Sequence, residues 1–273
     1  MSTTITLTQG LRHEYAELFR TCVIRPARVA AVESLVARVL ASRARYEQVA
    51  RASGVPWHVI AAIHAMESSL RFTGHLHNGD PLTARTVQVP AGRPRVGSPP
   101  FTWEESAADA LSSHRLGHGT EWSLAGTLYQ LERYNGWGYR RNHPEVRSPY
   151  LWSFSQHYSS GKYVADGRFS PTATSGQCGA AVLLRRLAEH GHIDFADQPR
   201  PAPDTDPLLV RYSTSRPADA NDAARAEQLQ RWLNTFAGIF VRVDGIPGPR
   251  TSAAYRLVTG AYLPGDPRHG VRS

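Results

Sequence analysis

From Pro56 to Leu70 the sequence keeps a helical period, and its apolar stripe ends in a carboxylate. Ile60, Ile63 and Glu67 are three and four residues apart, which puts all three on one helical face. Pro56 suits the first turn of such a helix. Directly afterwards, from Phe72 to Pro100, Gly, Pro, Asn and Asp interrupt every period. Long structured segments of this kind are often functional. The pattern predicts a helix whose last turn delivers an acid to the edge of a cleft, beside an irregular segment with a short hairpin near Arg85 to Val89. A carboxylate on an apolar face loses hydration, and its pKa rises. The competing reading is a carboxylate at the core border that pairs with Arg71, four residues on.

The rest of the chain is read around this feature. Amphipathic helices are predicted over Leu11 to Val23 and Arg28 to Ala52, with Pro26 and Gly54 as stops. Thr102 and Glu105 have capping-box spacing for a helix through Leu111. Further helices follow from Thr120 to Arg133 and from Cys178 to Glu189. Arg140 to Thr174 reads as an aromatic-rich loop. Gln198 to Pro217 holds five prolines and reads as a linker. It separates a domain of residues 1–197 from a small unit of residues 218–273.

Composition sets the boundaries of function. The net charge is +8, with arginines spread along the chain. That favours diffuse attraction to anionic polymers over a dedicated nucleic-acid patch. No apolar run reaches the ~18 residues of a membrane helix. Met1 to Gly10 has no signal-peptide pattern. Cys22 and Cys178 form no metal or redox motif, and read as two buried thiols, with a bridge as the alternative.

A family resemblance enters here. Met66-Glu67-Ser68-Ser69, ending a helix that begins Val55-Pro56-Trp57, resembles the catalytic helix of lysozyme-like muramidases and lytic transglycosylases. Tyr134-Asn135-Gly136 resembles the cleft-lining segment of the same superfamily. His75 to Leu82, Arg85 to Pro94, Ser148 to Ser153 and Lys162-Tyr163-Val164 are similar to phage-type endolysin sequences. Leu229-Gln230, Leu233-Asn234 and the string Asp244-Gly245-Ile246-Pro247-Gly248-Pro249-Arg250-Thr251 resemble a three-helix peptidoglycan-binding domain. The resemblance implies a mainly α protein, with a lysozyme-like α(+β) catalytic domain and a small three-helix wall-binding domain. It implies a peptidoglycan glycosidase that cleaves the glycan backbone, with hydrolysis favoured over transglycosylation. Export past the membrane would then use a holin or a secretion system.

The site expected on these grounds has Glu67 as general acid. Asp80 is the second carboxylate, or alternatively a turn cap. As a water-orienting base in an inverting reaction it would lie ~6.5–9.5 Å from the acid. Ser68 follows the acid. Thr86 and Gln88 would position water or sugar, or are plain loop polarity. Tyr134 and Asn135 would hold an N-acetyl group; Trp137, Tyr150 and Trp152 offer flat faces to sugars, or else belong to the core. Asp244, Gly245 and Thr251 would contact the wall. No cofactor or metal is expected. The partners are peptidoglycan glycan strands, with no nucleic acid and no membrane insertion; oligomeric state is left open. A rival reading is a zinc amidase or endopeptidase using His64, His75, His77 and Asp80. Another is a non-catalytic wall-binding protein.

Overall fold

The computed structural model describes residues 5–165, 167–195 and 208–269. Helix makes up 47% and strand 4%, so the mainly α expectation holds. The chain divides into two compact units, residues 1–186 and 187–273. Among the described residues no helix is long and apolar enough to cross a membrane.

In the first unit, α1 spans Gln9–Arg20, α2 Val29–Ala41, α3 Arg43–Ser53 and α4 Trp57–Ser68. The single helix expected over Arg28 to Ala52 is two, broken at Ser42 (φ −106°, ψ 9°). No Gly or Pro marks that break, so periodicity alone does not show it. Gly54 ends α3 in the left-handed conformation. α4 is the centre: Val59, Ile60, Ala61, Ala62, Ile63 and His64 are all fully buried. A helix that is apolar all round belongs to a core rather than a surface. Each isoleucine buried there contributes about 1.5–3 kcal/mol. α3 packs on one flank of α4 and α6, Leu124–Asn135, on another.

α5, Trp103–Ser113, opens on the expected capping box. Thr102 Oγ1 accepts from the Glu105 amide at 3.2 Å, and Glu105 accepts from the Thr102 amide at 2.7 Å. Between α4 and α5 there is neither helix nor strand. The hairpin expected near Arg85 to Val89 is absent. The Val87 and Gln88 amides, which a ladder would need, donate to the Asp80 carboxylate instead.

The aromatic segment after α6 is more ordered than expected. It contains α7, Gly138–Asn142, and α8, Pro149–Trp152. An antiparallel hairpin follows, β1 Lys162–Ala165 and β2 Arg168–Ser170, with Tyr163 opposite Phe169. His143 stacks on Phe169 at 3.5 Å, and Tyr139 meets Tyr163 edge-on. These ring contacts support a hairpin too short to stand alone. Arg140 donates to the buried Glu132 at 2.8 Å, and Tyr15 donates to the same carboxylate. This ties the α6–α7 turn to α1. α9 spans Ala180–Glu189.

The second unit contains α10, Ala220–Leu233, and α11, Pro249–Thr259. Among residues 208–269 only these two helices occur, where a three-helix domain was expected. Residues 198–207 of the expected linker lie outside the described residues. Residues 208–217 are not a free linker: Val210 is buried in this unit's core, and the Tyr212 amide donates to Pro264 at 2.9 Å. Gln230 organises the loop between the helices. Its side-chain oxygen accepts from the Asp244 and Gly245 amides, both at 2.9 Å. Its amide group donates to Asp244 at 2.8 Å and to the Ile246 carbonyl at 3.0 Å. Gln230→Ala would strand those buried groups. We expect a loss of about 2–4 kcal/mol in the second unit's stability, read by denaturant unfolding; a change below about 0.5 kcal/mol would contradict the assignment.

Candidate active site

Glu67 occupies the last turn of α4, and the backbone past it is unusual. Ser69 (φ +54°) and Leu70 (φ +61°) are both left-handed without being glycine. Such residues cost about 1–2 kcal/mol each and persist only where the surroundings hold them. Here the Leu70 amide donates to the His64 carbonyl at 3.2 Å, and the Leu70 side chain is buried. Arg71 does not pair with Glu67; its guanidinium donates to the Ser68 carbonyl at 3.2 Å. The Glu67 carboxyl instead accepts from the Tyr150 hydroxyl at 3.0 Å. Burial lifts the Glu67 pKa to about 7, and the Tyr150 hydrogen bond opposes part of that rise. Burial and the nearby Glu67 charge hold the Tyr134 and Tyr150 hydroxyls well above the ordinary range, so both stay donors.

The irregular segment closes over this end of α4. Gly79 has φ +79°, and a Cβ there would stand 3.3 Å from the Glu67 carbonyl oxygen. The close approach therefore needs glycine. Asp80, next to it, accepts through Oδ2 from Val87 N at 2.9 Å, Gln88 N at 3.0 Å and Asn78 Nδ2 at 3.1 Å. These donors, the Gln88 amide first, hold its carboxyl below the usual range. The turn-capping alternative for Asp80 is the one these contacts describe.

A groove of about 310 Å³ lies alongside, lined by Met66, Asn135, Tyr139, Tyr150, Lys162 and Gln177 among others. Gln177 donates to the Met66 carbonyl at 3.1 Å, which fixes one wall to α4. A larger hollow of about 580 Å³, beside Ala52, Ser112 and Arg115, has none of the expected site residues in its lining, whereas the groove has Asn135 and Tyr150. Volume alone does not identify the site.

The expected site residues divide accordingly. Glu67, Tyr134, Asn135 and Tyr150 are brought together at the groove or beside it. Tyr134 is braced by stacking on His114 at 3.9 Å and by a 3.4 Å hydrogen bond to the Leu76 carbonyl. Ser68 is buried and donates to the His64 carbonyl. Thr86 is buried and accepts from the Arg93 amide at 2.9 Å, which closes the loop; the Gln88 side chain is exposed. Trp137 and Trp152 are not sugar platforms. Both are buried, Trp137 against Tyr129 and Trp152 against His157. Asp244 and Thr251 line a hollow of about 190 Å³ on the second unit, and all three wall-binding candidates also serve its fold. Gly245 and Thr251 are buried, and all three bond to Gln230. Ser175 and Gln177 carry no sequence signal, because no period links those segments to α4, and Lys162 enters the sequence reading only through the resemblance of Lys162-Tyr163-Val164.

The histidines of the zinc reading have protein partners. His75 bonds Ser106 and the Ala84 carbonyl, both at 2.8 Å; His77 bonds Asp109 at 2.9 Å; His64 bonds Tyr46 at 3.0 Å. Among the described residues no three His, Cys, Asp or Glu side chains gather as a metal site. Cys22 and Cys178 are buried thiols with no disulfide between them, and burial raises the Cys178 thiol to about 12.

Asp80→Ala would leave the Val87 and Gln88 amides unmet. We expect the first unit to lose about 1–3 kcal/mol near neutral pH. A lowered pKa contributes stability above the unfolded value near ~4 and loses it as pH falls, so the deficit should shrink in acid. A deficit that does not change with pH would contradict this. Protein-family models, curated proteins and solved structures were all searched, and none matches this chain.

Proposed function

We propose that the first unit cleaves the glycan backbone of peptidoglycan, with Glu67 as general acid. The observation that carries this reading is the Glu67 carboxyl, hydrogen-bonded to Tyr150 beside a groove with tyrosines in its wall, where burial lifts its pKa to about 7. A general acid works best with a pKa close to the operating pH. Glu67 gives its proton to the glycosidic oxygen as the bond to the anomeric carbon breaks. Charge then develops on that carbon and ring oxygen. In the favoured hydrolytic course a water oxygen adds to the anomeric carbon and its proton passes to the Glu67 carboxylate, which restores the acid. In the transglycosylase course the sugar's own 6-hydroxyl adds instead and gives its proton to the same carboxylate, leaving a 1,6-anhydro end. Asp80 stays ionised, a poor water-activating base, and its part is to hold the loop against α4.

The second unit is proposed to hold the wall by its surface, since Asp244, Gly245 and Thr251 serve its fold. The hollow of about 480 Å³ beside Arg211, Asp222 and Arg225 is a surface of suitable size. Action on the wall would require export from the cytoplasm.

The test is digestion of purified sacculi by the parent chain and Glu67→Gln, with mass spectrometry of the released fragments. We expect reducing ends from the parent chain and a ~10²–10⁴-fold loss in the variant. Because the acid must be protonated, kcat/KM should fall as pH rises through about 7. Undiminished release by Glu67→Gln would remove the proposed acid; release of nothing by the parent chain would remove the activity.

A further inference from the structure

Lys162 is the only lysine of a chain with 31 lysines and arginines. Arginine elsewhere does structural work that suits a planar fork, as where Arg140 binds Glu132 and Glu14. Lysine differs as a compact, mobile point charge on a flexible stem. This one lies at the start of β1, half-buried, in the lining of the groove beside Glu67. Among the described residues it is the groove's only charged lining residue. Among the described residues no ion pair includes it.

Its position is fixed from both sides. The Lys162 backbone pairs with Ser170 across the hairpin. The neighbouring Tyr163 amide donates to the Tyr139 hydroxyl at 3.2 Å, and Asn142 donates to the Tyr163 hydroxyl at 3.2 Å. A partly desolvated cation that pairs with no anion among the described residues attracts an anionic ligand group. Glu67, largely neutral below pH 7, does not supply the missing charge.

We propose that Lys162 is a specificity residue that receives a carboxylate of the bound strand. The inference rests on reading the groove as a glycan site. It makes the preferred ligand an acidic N-acetylated amino-sugar polymer rather than a neutral one. In peptidoglycan two sources offer that carboxylate. One is the lactyl ether of a muramyl residue whose peptide has been removed. The other is the peptide stem where it remains.

The test measures binding in the full chain carrying Glu67→Gln, with and without Lys162→Met. Three ligands are compared by calorimetry: stem-free glycan strands, stem-bearing strands, and neutral β-1,4-linked N-acetylglucosamine oligomers. We expect Lys162→Met to raise Kd about tenfold for a carboxylate-bearing ligand and to leave the neutral oligomer unchanged. Lys162→Arg should keep most of the preference. The strand that loses more identifies the source of the carboxylate. Equal loss on all three ligands, or no loss on any, overturns the inference. Cleavage of sacculi by the parent chain, assayed separately, reports on the function itself. A chain that cleaves but shows no Lys162 effect therefore sinks only this proposal.

Discussion

The Glu67 carboxyl is partly removed from water by the same helix that forms the core of the first unit. α4 is buried on every side through its middle turns. Its last turn inherits that dry environment but reaches the groove. Desolvation raises the carboxyl pKa, and only a single neutral hydroxyl, from Tyr150, is supplied in return. A cation at the same distance would have reversed the outcome, since an opposite charge favours the ionised form. Arg71 is within reach by sequence and is turned away to the Ser68 carbonyl. The protonation state of the site therefore follows from burial, opposed only in part by the Tyr150 hydroxyl.

Much of the remaining structure serves to hold that helix end. Two successive left-handed residues turn the chain away after Ser68, and Gly79 lets the returning loop touch the Glu67 carbonyl. Asp80 gathers two amides and Asn78 to keep the loop closed. On the other side, the Tyr15–Glu132–Arg140 cluster fixes the turn that carries Asn135, while the aromatic hairpin carries Lys162. Loops of low intrinsic order are thus held by buried hydrogen bonds, which are costly to leave half-made.

The helices and the acid were legible because each rests on a local rule. The stripe of Ile60, Ile63 and Glu67 is a matter of spacing; the Thr102–Glu105 box is a matter of four adjacent residues. What the sequence did not show depends on distant partners. The Ser42 break has no residue signal. The assignment of Val87 and Gln88 amides to Asp80 removed the expected hairpin. Trp137 and Trp152 have the chemistry of sugar platforms, but their neighbours bury them. The Asp244 to Thr251 string marks a loop built around Gln230, so the fold requires the motif whether or not a ligand is present.

The proposed chemistry depends on the ionisation of one side chain, and that can be read directly. Carbon-detected nuclear magnetic resonance of the full chain, with labelled glutamate and Glu67→Gln to assign the signal, would follow the Glu67 carboxyl through a pH titration. A midpoint near 7 is the result expected. A midpoint in the ordinary glutamate range, near ~4.3, would show a hydrated carboxylate and contradict the central claim.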